Sequence, residues 1–355
     1  KFLNAFNSIP TVGPAALRSL KNYFGSLENA WRASEHELEQ SGIGAEALRA
    51  ILWKRPSLHP DREMEKMIRE NIWMMTDADQ NFPKALKEIP YAPLVIYGRG
   101  HLEENINFAV VGTRRPTAYG SEAAENIVRE LAQAGLTIVS GLATGIDARA
   151  HETALENKGK TIAVLGSGID QNSIFPPEHK NLARRIVESA GTVISEYSPG
   201  TPAVKEHFPA RNRIISGLAR GVLVIEAREK SGALITARFA LEQNRDVFAL
   251  PGSIFSPTSR GPHKLIQEGA KLVTSAQDIL EELGIDYNKE VAQRADELLG
   301  EKENILLNLL QEPLGVDLIK EKTGLDTSTI VASLSMLELK GRVKNLGNDT
   351  YQKIN

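Results

Sequence analysis

Between residues 61 and 285 short apolar runs alternate with longer amphipathic stretches. The runs are Leu94–Tyr97, Phe108–Val111, Leu136–Val139, Thr161–Leu165, Thr192–Ile194, Gly221–Ile225 and Asp246–Leu250. Most are rich in valine and isoleucine and end at glycine or a small polar residue, which predicts strands buried on both faces. In an intervening stretch, Ser121–Ala134, the residues Ala124, Ile127, Val128 and Leu131 fall on one helical face. Continuous β-branched runs alternating with such helices predict an α/β core, a doubly wound and mostly parallel sheet covered on both sides.

The pattern differs on either side of this core. Residues 1–60 read as helices with two glycine turns. Gly13 leads into Ala15–Leu20 and Gly44 into Ala45–Leu52. This is the spacing of a SAM-like or helix-hairpin-helix unit, whose hairpin amides can face a phosphate, or of a small bundle whose glycines only turn the chain. After a polar linker at 286–300, residues 301–355 read as a winged helix-turn-helix. Ile305, Leu306, Leu309 and Leu310 form one helix face, Ile330, Leu334 and Leu337 another, and Val343–Lys353 a β-wing. From Glu301 onward this unit carries seven basic against eight acidic side chains. That balance favours contact with protein over a grip on a phosphate backbone.

Composition narrows the function classes. The chain has 355 residues, a net charge of −3 and no cysteine. Disulfides, zinc–thiolate sites and cysteine nucleophiles are excluded, and a reducing, cytoplasmic setting is expected. No run approaches the roughly 20 apolar residues that span a bilayer. A nucleic-acid site on this neutral background must be a local cluster of cations.

In a doubly wound sheet such a cluster belongs at the carboxyl ends of the strands. Gly112-Thr113-Arg114-Arg115 follows Phe108–Val111, with no acid before Ser121, which is positioned to cap the next helix. Exposed amides, a helix N-terminus and two guanidinium groups suit an anion. Ser140-Gly141-Leu142-Ala143-Thr144-Gly145-Ile146-Asp147 and Gly166-Ser167-Gly168 are glycine-rich turns of the same kind. Asp147 and His151, four residues apart, could pair on a metal, but helix capping by Asp147 with His151 bonded nearby fits better. Lys205, His207, Phe208, Arg211, Asn212 and Arg213 place cations beside a ring, the combination that holds single-stranded nucleic acid without reading its sequence. One of these cations, Arg213, could instead brace the fold against Glu196 or Glu226. Ser231-Gly232 opens another helix and offers a further anion seat.

P-loop, HExxH and nucleophile-elbow motifs do not occur. The loops favour binding over catalysis, with no cofactor. A nucleotide-processing enzyme of the phosphoribohydrolase type, with Glu226 near Ser231-Gly232 acting in glycosidic cleavage, is the competing reading.

Six motifs in fixed order carry a resemblance: Val110–Arg115; Ser140–Asp147 with His151; Ser195-Glu196-Tyr197; Phe208-Pro209-Ala210-Arg211-Asn212-Arg213-Ile214-Ile215; Ser231-Gly232; and Leu250-Pro251-Gly252-Ser253. Together they resemble the DprA/Smf family of DNA-processing proteins. The resemblance implies a Rossmann-like core that forms a homodimer, protects single-stranded DNA and helps load the RecA recombinase in natural transformation. Carried onto this chain, it implies Arg114 and Lys205 on phosphates and Phe208 on a base, with Arg115 beside them. Gly141 to Gly145 and Gly166 to Gly168 would line the pocket with amides. Thr144 stands where many members carry a basic residue.

Overall fold

The computed structural model describes residues 1–285, 301–310, 312–339, 343–347 and 349–353. The expected linker, 286–300, lies outside the described residues. Two compact units result, Lys1–Ile285 and Asp286–Asn355.

The first unit is built on a nine-stranded sheet: β1 (Trp73–Thr76), β2 (Val95–Gly100), β3 (Asn107–Val111), β4 (Thr137–Ser140), β5 (Thr161–Leu165), β6 (Thr192–Ser195), β7 (Gly221–Val224), β8 (Asp246–Ala249) and β9 (Lys271–Leu272). Their order is β1-β2-β6-β5-β4-β3-β7-β8-β9. From β6 to β9 every pairing is parallel, while β1 and β2 are added antiparallel at one edge. All seven expected strands are present, their ends within three residues of the expected ones; β1 and β9 are additional. The fold is the expected Rossmann-like α/β one. Strand β4 continues from β3 on one side and β7 lies on the other, so the winding reverses at β3. Ligands bind at this kind of reversal because the loops diverge there and leave a crevice.

Burial explains the run composition. Every residue of β3 except Asn107, and every residue of β4 to β7, is buried. Strands covered on both faces need unbroken apolar runs rather than alternation. The helix after β3 runs Ala118–Gln133 and buries Ala124, Ile127, Val128 and Leu131 as expected. Its cap is Thr117, whose hydroxyl accepts from the Gly120 amide at 3.1 Å, and not Ser121. The helix starts one turn earlier because Thr117 is already extended and next to a proline.

The amino-terminal helices Phe2–Asn7, Pro14–Phe24, Leu27–Arg32, Glu35–Gln40 and Ala45–Lys54 share an apolar cluster that includes Phe6, Leu17, Leu20, Leu38 and Ile51, with Leu94 joining from the sheet side. Gly13 and Gly44 directly precede two of these helices, as the turns predicted. Two arginines of this segment are spent on carbonyls. Arg18 donates to Ala92 and Arg55 to Trp31 and Ala33.

In the second unit, helices Glu301–Leu309, Val316–Thr323 and Thr327–Leu339 accompany strands Leu314–Gly315, Val343–Gly347 and Thr350–Lys353, paired antiparallel. Leu306, Leu310, Ile319, Ile330, Leu334, Leu337 and Val343 form its core. Three helices with a short wing match the expected arrangement, but at the first of them Leu306, Leu307 and Leu310 are buried and Ile305, expected on the same face, is exposed. No helix of the described residues is long and apolar enough to cross a membrane.

Candidate nucleic-acid interface

The loops after β3, β4 and β7 and the segment entering the helix His207–Leu218 surround a cleft of about 660 Å³. Of the residues singled out in the sequence, Gly112, Thr113, Arg114, Lys205, Phe208, Arg211, Asn212, Ser231 and Gly232 form its walls. A smaller hollow of about 170 Å³ is lined by Arg114, Phe208 and Arg211 together with Gly141 and Thr144. Arg114 and Phe208 thus stand between the two spaces.

Local chemistry determines this placement. Phe208 lies in the first turn of its helix, with Pro209 next to it, where a missing amide hydrogen costs nothing. The ring packs back on the chain at Gly166. A Cβ added there would lie 2.9 Å from the Phe208 ring, so any side chain at 166 would displace it. The Arg114 guanidinium lies 5.7 Å from the centre of the same ring, within cation–π range. Phe175, 40% exposed, faces Phe208 at 5.6 Å between centroids.

Four exposed cations line the cleft: Arg114, Lys205, Arg228 and Lys230. None forms a salt bridge among the described residues, whereas the neighbouring Glu229 is paired with Arg260 at 3.7 Å. Ser231 accepts from the Ala233 amide and caps the helix Gly232–Glu242, which points its N-terminus at the cleft. Unpaired cations, a helix N-terminus and two rings compose a site for a polyanion with flat bases.

Arg211 and Arg213 play a different part. Both are buried. Arg211 reaches the cleft wall, but its Nη1 donates to the carbonyls of Gly141 and Val164, tying the ends of β4 and β5 together. Burial pushes its pKa down to about 10, so it stays charged at neutral pH. Arg213 clamps both oxygens of Glu196 at 2.6 and 2.8 Å and donates through Nε to the Tyr91 carbonyl. It stands behind the cleft, paired with Glu196 rather than Glu226.

Other expected residues also sit behind the walls. The Ser140 hydroxyl donates to the Val110 carbonyl and that of Ser167 to Gly168. Gly168 is hydrogen-bonded to Thr201, and the His207 ring stacks on Tyr197 at 3.9 Å. Arg115 is exposed but lies on neither wall. Gly145 works through shape. Its φ is +82° and a Cβ there would lie 2.4 Å from the Thr113 carbonyl oxygen. Gly145→Ala is therefore expected to push the Thr113–Arg114 loop out of place. Stability should fall by about 1–2 kcal/mol from the backbone conformation alone, and DNA affinity should fall as well; thermal melting and a binding titration on the same sample check both.

Asp147 does not cap its helix from outside. It lies inside the first turn, and its Oδ2 accepts from the Gly141 amide at 3.1 Å. Burial raises its pKa, with Arg211 opposing. His151 bonds Thr161 through Nδ1 at 2.6 Å. Because the Thr161 hydroxyl donates to Ile138, this ring nitrogen must be the protonated one. Burial lowers the His151 pKa to about 3, leaving it neutral. No group of three potential metal ligands occurs among the described residues.

Glu226 is not on the cleft walls. Its oxygens accept from the Thr117 amide and hydroxyl and from the Thr258 hydroxyl, each at 2.8 Å. It binds three loops together, and this geometry gives no support to glycosidic cleavage. The sequence reading did not include Phe175, Arg228 or Lys230. Arg228-Glu229-Lys230 directly before Ser231 was the available signal, masked by its central acid.

Comparison with known proteins identifies the family. The family described as DNA recombination-mediator protein A matches residues 73–284, and the DprA winged helix domain matches residues 289–348. Protein Smf of Synechocystis is 36% identical over 98% of this chain and 97% of its own length. The DNA processing protein DprA of Streptococcus pneumoniae is 49% identical over 63% of this chain and 77% of its own. Its crystal structure superposes with a TM-score of 0.64 at 40% identity, covering 75% of this chain and 92% of that one. DNA processing protein A of Helicobacter pylori, solved in a study of its single-stranded DNA binding mode, superposes with a TM-score of 0.54 at 30% identity, over 60% and 95% of the two chains. By sequence and by fold, this chain belongs to the DprA/Smf family of DNA-processing proteins.

Proposed function

We propose that this protein seats single-stranded DNA in the cleft at the winding reversal of its sheet, without reading sequence, shields it, and passes it to the RecA recombinase. The observation that carries the reading is the convergence of Arg114, Lys205, Arg228 and Lys230, none of them salt-bridged among the described residues, around the half-buried ring of Phe208. Cations hold phosphates in any sequence, and every base offers a face for stacking. The Helicobacter pylori relative, studied for its single-stranded DNA binding mode, adds support. Asp147, the one carboxylate among the described lining residues of the cleft, is buried and accepts from the Gly141 amide, which favours binding over turnover. A homodimer formed through the sheet domain and delivery to RecA belong to the same reading and rest on family membership; the winged-helix unit, neutral in charge balance, is better suited to protein than to phosphate.

Four phosphate contacts to a single strand predict a log–log dependence of affinity on salt with a slope of about −3. Oligothymidylate titrations by fluorescence anisotropy at several salt concentrations measure it. A slope near zero contradicts the proposed seat.

A further inference from the structure

The same rim carries two large apolar side chains that neither the core nor the cleft uses. Phe255 is 90% exposed and Ile254 75%. They sit in the loop after β8, which is firmly braced. The Phe255 amide donates to the Ser253 hydroxyl, the Ser256 amide to the Ser253 carbonyl and the Ser259 amide to Ser256. A braced loop that keeps a phenyl ring in water forgoes about 1.5–3 kcal/mol of burial, so the exposure is a property of the native loop rather than of a frayed end.

The loop is continuous with the cleft. The Ala227 amide donates to the Thr258 carbonyl at 2.8 Å, the Gly261 amide returns to the Ala227 carbonyl at 2.9 Å, and the next residue, Arg228, is a cleft wall. On the other side Tyr119, half exposed, donates to the Pro251 carbonyl at 2.6 Å, from the helix that follows the Arg114 loop. Charge points the same way. From Pro251 to Gln267 there is no acid, and the neighbouring acids Glu229 and Glu268 are each paired, with Arg260 and Lys264, at 3.7 Å.

We propose that this loop is a second stacking position, Phe255 taking a base of a strand that leaves the cleft past Arg228. The inference rests on the proposed function and extends it: the seat has an exit, and longer strands gain affinity there.

Anisotropy with two oligothymidylates tests it, one the shortest that the unaltered protein retains and one about 12 nucleotides longer. Phe255→Ala should weaken the longer strand about 5- to 100-fold and leave the shortest unchanged, and Phe255→Tyr should restore the longer one. Equal affinity of Phe255→Ala and the unaltered protein for the longer strand overturns the inference. So does a variant whose mass in solution drops while its DNA affinity holds, which assigns the ring to a contact between chains. If the unaltered protein binds neither strand, the seat itself fails and the exit with it.

Discussion

Reversing both Arg114 and Lys205 to glutamate should reduce affinity for oligothymidylate by about 10²–10⁴-fold. Hydrogen bonds to charged groups contribute about 1.5–3 kcal/mol each, and the two removed contacts correspond to that range. Repulsion from the new carboxylates adds to the loss. Both side chains are exposed and form no salt bridge among the described residues, so the fold should be untouched and melting unchanged. Phe208→Ala should cost about 1–3 kcal/mol of binding by itself. It also removes the surface on which Arg114 rests at 5.7 Å. Phe208→Leu separates the two roles, since leucine fills the space in front of Gly166 yet offers no face to a base. If leucine binds as phenylalanine does, the ring is packing rather than a platform.

The second large effect is on stability. Arg213 and Glu196 are about nine-tenths buried and share two short hydrogen bonds. Removing one partner strands the other charge in a low-dielectric interior, at about 3–5 kcal/mol. For a unit of this size that corresponds to a fall in melting temperature of roughly 10 °C. Glu196→Gln and Arg213→Ala should each show it. The double change Glu196→Leu with Arg213→Met should recover part of the loss, because it removes both charges together. Neither residue lines the cleft, so the salt slope of DNA binding should stay the same in every variant that remains folded. An Arg213→Ala protein that melts normally but loses DNA would place this side chain in the interface instead.

The contrast between these two arginine sets shows where the sequence was informative. Strands β3 to β8 were legible because each is an unbroken β-branched or apolar run, the signature of burial on two faces. Strand β1, Trp73-Met74-Met75-Thr76, lacks that signature: each of its residues is only half-buried. Strand β9 has two residues, below the length at which any period exists. The cluster Lys205–Arg213 was legible as a basic segment with an aromatic. Arg213 was legible as a brace against Glu196 or Glu226, but it was not legible that a helix starts at His207 and turns Arg211 inward as well. A charge run on its own carries no sign of which side is buried; for Arg213 the carboxylate Glu196, 17 positions upstream, decides it. Phe175 escaped notice for a related reason. It pairs with Phe208 across 5.6 Å of space and 33 positions of chain, and nothing local to the loop shows that contact.

Thr117 illustrates competition between two good signals. Ser121 and Thr117 are both capping residues, one turn apart. The earlier one is selected because Glu226 accepts from its amide and hydroxyl, which holds it extended at the helix entrance. The same carboxylate ties in Thr258 and so joins the loops after β3, β7 and β8 into one rim. That connection, absent from any single motif, brings the cations together.

Photo-crosslinking with an iodouracil-substituted oligonucleotide locates the bound strand on the protein. Peptides bearing Phe208 or Phe175, and those of the Gly112–Arg115 loop, should carry the label. The label should fade as salt rises. Crosslinks confined to residues 301–353, or scattered with no preference for these peptides, would contradict a DNA seat at the reversal of the sheet.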